Sequence, residues 1–126
     1  MTTEIVNPPE LPANPAFAQG TLSTGSRILV VGGQNGVDAT GAMAAGLAAQ
    51  TAQALRNVLA VLEAAGAGPA QVARLGVYLV ASVDPAEAFA AVGPEWRRQP
   101  TAVVVLRVAG LARPDALVEI EALAVL

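Results

Sequence analysis

Apolar positions recur every three to four residues in one long stretch of this chain and at closer spacing in several short ones. From Thr40 to Ala65, Leu47, Thr51, Leu55, Val58, Leu59 and Leu62 draw one stripe, which predicts a long amphipathic helix. Gln50, Gln53 and Asn57 mark its opposite face. Asp38 or Thr40 suits its start, while Gly66, Gly68 and Pro69 stop it. Upstream, AQGTLSTGSRILVVGGQNGVD predicts two strands joined by a turn at Ser23–Ser26, the second running from Arg27 to Val31 and ending at Gly32-Gly33. Prolines at 8, 9, 12 and 15 make residues 1–16 an extended arm. ARLGVYLVAS predicts a strand over 73–81. In DPAEAF, Asp84 has the form of a cap, with Pro85 as first helical residue and Glu87 three beyond the cap. Gly93-Pro94 interrupts this second helix. TAVVVLRV gives a strand over 101–108, and ALVEIEALAVL gives the last one. The order β-β-α-β-α-β-β predicts a sandwich with helices on one face of a sheet.

The last strand holds the most informative polar positions. Glu119 and Glu121 interrupt an apolar run, and side chains two apart share a face of a strand. Val118, Ile120 and Ala122 point the other way. The two carboxylates stand roughly 7 Å apart on a regular strand. At an effective dielectric of 20 they repel by roughly 2 kcal/mol, and burying both unpaired adds several kcal/mol each. Their face is therefore polar, either a solvated surface or a pocket.

Composition narrows the chemistry. The chain has 126 residues, which predicts one domain spanning 1–126. It contains no cysteine and no histidine, so disulfides, thiolate metal sites, cysteine nucleophiles and Ser-His-Asp triads are excluded. Ser23, Thr24 and Ser26 have no histidine to activate them. A net charge of −3 argues against a nucleic-acid groove. Hydrophobic residues make up 54% and charged ones 13%, more apolar surface than a monomer of this size hides, which points to self-association. No apolar run reaches the roughly 18 residues of a membrane span, so a soluble, cytoplasmic protein is expected.

Two further positions carry alternatives. Gly32-Gly33 lacks dinucleotide and P-loop spacing, so a bulge or a close backbone approach is the better reading. Arg107 sits inside a strand as either a cross-strand partner of a glutamate or a carboxylate clamp for a ligand. Arg97 and Arg98, beside Trp96, suit a solvated turn or a subunit contact.

Taken together, NPAFAQG, VVGGQNGVD, AQTAQALRNVLAVLEAAG and RPDALVEIEALAV fall in an order that resembles the RidA (YjgF/YER057c/UK114) family over nearly the whole chain. The resemblance implies an α+β, chorismate-mutase-like fold and a homotrimer with a small-molecule cleft at each subunit interface. It also implies hydrolysis of enamines and imines to carbonyl products and ammonia, with no cofactor and no metal. The family's glutamate falls on Glu119, its aromatic on Phe17 and its serine on Gly32 before Gly33 and Gln34; Val103, Val105 and Arg107, which share a face of the second-last strand, complete the candidate cleft residues. The sequence departs from the pattern in three places. The arginine that grips a substrate carboxylate falls on Val103 by one count and on Ala102 by another. A serine is replaced by Gly32, and a tyrosine by Phe17. Arg107 lies four residues, about 13 Å, from the arginine's expected position, and Arg97 or Arg98 of a neighbouring subunit is a comparable substitute. The resemblance thus implies an imine or enamine hydrolase that is not an efficient 2-imino acid deaminase, or else a non-catalytic binding trimer. An endoribonuclease, an activity attributed to some relatives, suits an acidic chain poor in aromatic residues least.

Overall fold

A computed structural model describes residues 2–96 and 99–126, so Arg97 and Arg98 lie outside the described residues. The chain runs β1 (Thr2–Val6), β2 (Gly20–Thr24), β3 (Ile28–Gln34), α1 (Leu47–Ala64), a single 3₁₀ turn (Pro69–Gln71), β4 (Val72–Val80), α2 (Pro85–Trp96), β5 (Ala102–Val108) and β6 (Val118–Val125). A four-stranded mixed sheet has the order β3-β6-β4-β5. β4 and β5 are parallel, and α2 supplies the crossover that parallel neighbours need; β6 is antiparallel to both β3 and β4. The fold is therefore α+β, with both helices on one face of the sheet.

Alternation in β6 builds that face. Val118, Ile120, Ala122 and Ala124 are buried, while Glu119, Glu121, Leu123 and Val125 point the other way and are partly exposed. Leu75, Val77 and Leu79 of β4 and Val31 of β3 extend the inner layer, and Leu47, Leu55, Val58 and Leu62 of α1 close over it. Trp96 and Ala88 of α2 seal one flank. Full burial of a leucine or valine contributes about 1.5–3 kcal/mol, so this layer dominates stability.

Several sequence expectations are corrected. The N-terminal arm contains a strand, β1, and it pairs with β2 in a separate two-stranded sheet; β2 and β3 do not form a hairpin with each other. The long helix begins at Leu47 rather than Thr40. Gly46 before it holds φ of +88°, a left-handed conformation that helices do not include. Asp38 caps a turn instead, accepting from Thr40 N, Ala42 N and the Thr40 hydroxyl. Gln50 is buried, not outward: its amide donates to Asp115 O and accepts from Leu117 N, at 3.1 and 2.8 Å, and so holds the chain entering β6. Asn57 likewise donates to Asn35 O and Val37 O. The polar edge of α1 satisfies loop backbone groups that would otherwise be unpaired. Helix α2 continues through Pro94 to Trp96; Pro94 is exposed, where its missing N–H is tolerated, and burial of Trp96 holds the last turn.

No helix among the described residues is long and apolar enough to cross a membrane. Leu55 is fully buried where α1 meets the sheet. Leu55→Ala is expected to lower stability by about 3 kcal/mol in urea unfolding, the usual loss for a cavity at such a site. A loss well under 1 kcal/mol would mean that α1 does not carry the core.

Candidate functional site

The sheet face turned away from the helices is open, and its centre is polar. Glu119 projects from β6 with Oε1 accepting from Asn35 Nδ2 at 3.2 Å; the same amide donates to Val118 O at 3.2 Å. Its other oxygen lies so close over Gly33 that a Cβ at that position would overlap it. The β3–β6 register shifts between Val31 and Gln34, so Gly32 and Gly33 sit in an irregularity of the ladder. Glycine at 33 is what lets the carboxylate fold down onto the strand.

Glu121, the next outward residue, has its own seat. Its Oε1 accepts from the Tyr78 hydroxyl at 2.8 Å and from Arg74 Nη2 at 3.1 Å. A Cβ on Gly76 would come within 2.9 Å of Glu121 Cγ and Oε1, so this carboxylate also lies against bare backbone. Arg74, Gly76 and Tyr78 are consecutive outward positions of β4, in register with Leu123, Glu121 and Glu119. The hydrogen bond from Tyr78 to Glu121 is the chief reason its hydroxyl is held above the usual phenol range, with desolvation and the Glu121 charge adding to it. The face thus carries two carboxylates against one guanidinium.

Apolar residues flank this strip. On the β3 side Ile28 and Val30 are each 70% exposed, and on the β5 side Val104 and Leu106 are 44% and 48% exposed. The polar strip thus runs between apolar margins on an exposed sheet face.

The expected site residues divide between the two faces. Glu119 and Gly33 come together. Gly32 lies beside them, its carbonyl accepting from Gln34 Nε2 at 3.2 Å, but Gln34 itself is opposite Ile120 in the register. Phe17 is half-buried in the segment beside the start of β5, where Ala18 bridges Ala102 and donates to Thr101 O at 2.9 Å. Val103, Val105 and Arg107 are in register with Leu75, Val77 and Leu79, on the helix side. Val103 and Val105 line an apolar cavity of about 60 Å³ under α2 with Trp96 and Phe89. Arg107 donates to Val83 O at 3.2 Å, and β5 pairs with β4 and not β6, so no glutamate lies across from Arg107. The sheet therefore separates these three residues from Glu119, because side chains alternate along β5. Ala102, Val104 and Leu106 are the β5 residues on the glutamate face. Asn35, Arg74 and Tyr78 were not singled out from the sequence. The four-residue spacing of Arg74 and Tyr78 within a strand was the available signal, since it puts both on one face. No group of three or more metal-ligating carboxylates occurs among the described residues.

An α+β sandwich whose open sheet face carries a glycine-seated glutamate defines a class of small proteins, and comparison places the chain within it. The model of the family described as endoribonuclease L-PSP matches residues 10–126. Among solved structures, the chain is 35% identical to YyfB of Yersinia pestis, a Rid-family protein of unknown function, over 100% of both chains with a TM-score of 0.88. It is 29% identical to the YjgF gene product of E. coli over 97% of this chain and 98% of that one, with a TM-score of 0.73. It is 26% identical to E. coli TdcF, solved with bound serine, over 98% of both chains with a TM-score of 0.73. Among curated proteins nothing matches. The chain belongs to the RidA (YjgF) family.

Tyr78 is the one tyrosine of the chain, so its ionisation can be followed directly by ultraviolet absorbance. Its folded pKa is expected above the ordinary value near 10 and to fall toward it in Glu121→Gln. Because the fold favours the protonated phenol, its contribution to stability is complete below the unfolded pKa and is lost as pH rises through the folded one. A normal titration would mean that the Tyr78–Glu121 bond does not persist in solution.

Proposed function

We propose that this protein is a homotrimer whose intersubunit clefts bind a small metabolite and hydrolyse imines, or enamines through their imine tautomers, releasing ammonia without cofactor or metal. The observation that carries the reading is the placement of Glu119, oriented by Asn35 and pressed onto Gly33 on an open face with apolar margins. A fixed carboxylate can order a water and accept its proton as oxygen bonds to the imine carbon. It passes that proton to nitrogen to give a carbinolamine, then takes the hydroxyl proton and delivers it to nitrogen as the C–N bond breaks, leaving a carbonyl and ammonia. Family membership supports the same chemistry, and TdcF with bound serine is a relative that holds a small amino acid.

Ala102 on the glutamate face provides no cation for a substrate carboxylate, and Val103 faces the helices. Efficient turnover of 2-imino acids is therefore not the favoured activity. The same feature favours a second reading, a trimer that binds a ligand without turning it over. Two carboxylates around one arginine speak against a phosphate backbone on this face.

Glu119→Gln is expected to lower ammonia release from imines generated in situ by an amine oxidase by about 10²-fold or more, with the oligomer unchanged in size. An unaltered rate would remove Glu119 from the chemistry, and no acceleration by the wild type would leave the binding trimer. Light scattering at micromolar protein is expected to give three times the chain mass; a monomer would remove the intersubunit site.

A further inference from the structure

We propose that the space beneath α2, on the side of the sheet opposite Glu119, is a second small-molecule site. Its ligand is a neutral, apolar ring compound with one acceptor oxygen, of the class of cyclic ketones. The proposal does not depend on how the Glu119 face is read.

The space follows from the faces of two elements. Phe89, Val92 and Trp96 recur at spacings of three and four along α2 and share one side of it. Val103 and Val105 share the helix-side face of β5 below them. Two adjoining cavities, of about 60 and 300 Å³, lie between these layers, and Phe89, Val92, Trp96 and Gln99 border both. The smaller one reaches down to the two valines; the larger one is bordered by Pro15 and Gly93. An apolar cavity of about 150 Å³ is enough to hold a benzene ring, so the larger one has room for a single ring.

Trp96 sets the chemistry. Its side chain is only 3% exposed, yet its indole N–H has no hydrogen-bond partner among the described residues. Buried polar groups are nearly always paired, and an indole nitrogen can only donate. What it lacks is an acceptor, and the space bordering the ring is the cavity itself. Thr101, which also borders the smaller cavity, is already committed, since its hydroxyl donates to Val72 O at 3.0 Å. Among the described residues no charged side chain borders either cavity, so an ion entering there would lose its hydration without compensation. A neutral ligand is therefore selected. Phe89 is 46% exposed, and a ring bound against it would cover apolar surface that the fold leaves in water.

Trp96 is the one tryptophan of the chain, so its indole N–H gives a single resonance in proton–nitrogen correlation spectra of the intact protein. The probes are cyclohexanone and methylenecyclohexane, which match in shape and differ in the acceptor oxygen. Cyclohexanone is expected to move that resonance downfield and to saturate, with a Kd of about 1 mM or below; methylenecyclohexane is expected to bind without the downfield shift. Affinities of the variants are read from the probes' own resonances. Trp96→Phe is expected to weaken cyclohexanone about fivefold or more and to leave the hydrocarbon unchanged. Val92→Phe puts a ring where the two cavities adjoin and is expected to weaken both probes about tenfold or more. Val92 is only partly buried, so this variant decides the matter even where Trp96→Phe fails to fold. Absence of saturable binding, the same shift with both probes, equal weakening of both by Trp96→Phe, or cyclohexanone affinity untouched by Val92→Phe would each overturn the proposal.

Discussion

Strand β6 has to serve two environments at once, and the rest of the structure follows from that. It lies inside the sheet between β3 and β4, so neither of its faces can be left to an edge. The period of two in the strand assigns Val118, Ile120, Ala122 and Ala124 to the helices and the two glutamates to the opposite side. A slip of one residue would bury both carboxylates under α1 and expose the core. The register is therefore held by the same residues that hold the site.

Each glutamate is accommodated by a glycine on the neighbouring strand, Gly33 beside Glu119 and Gly76 beside Glu121. Without a Cβ on the partner, a carboxylate can lie along the sheet instead of standing into solvent, which brings it within reach of Asn35 on one side and of Arg74 and Tyr78 on the other. The two seats differ in charge. Glu119 has an amide partner that orients it and leaves its charge uncompensated, whereas Glu121 is paired with a guanidinium and a phenol. One carboxylate thus keeps an unpaired charge on the open face, and the other is fixed in an ion pair. Identical side chains two residues apart take different parts because their neighbours on β4 and in the loop after β3 differ.

Much of the fold was legible before any coordinates. The apolar stripe of α1 and the alternation of β6 are strong periodic signals, because burial against a sheet selects one face of an element. Boundaries were less legible. The start of α1 depends on Gly46 adopting a left-handed conformation and on Asp38 closing a turn of its own, and both compete with helix in a stretch whose residue types permit either. Gln50 and Asn57 read as a solvated face, yet they satisfy backbone groups of segments distant in sequence. A side-chain amide suits water and a buried carbonyl equally well, so residue type alone does not distinguish them.

For the site, sequence by itself determined that two carboxylates share a strand face and that no histidine or cysteine chemistry is available. It also carried the family resemblance that comparison later bore out. Only the tertiary structure decided which residues surround those carboxylates. Strand order sets β4 rather than β5 beside β6, which makes Arg74 and not Arg107 the cation on that face, and the alternation of β5 sends Val103 and Val105 to the helices. Periodicity is a local property of a strand and can be read from its residues. Strand order and register depend on contacts among residues far apart in the chain, and no local pattern encodes them.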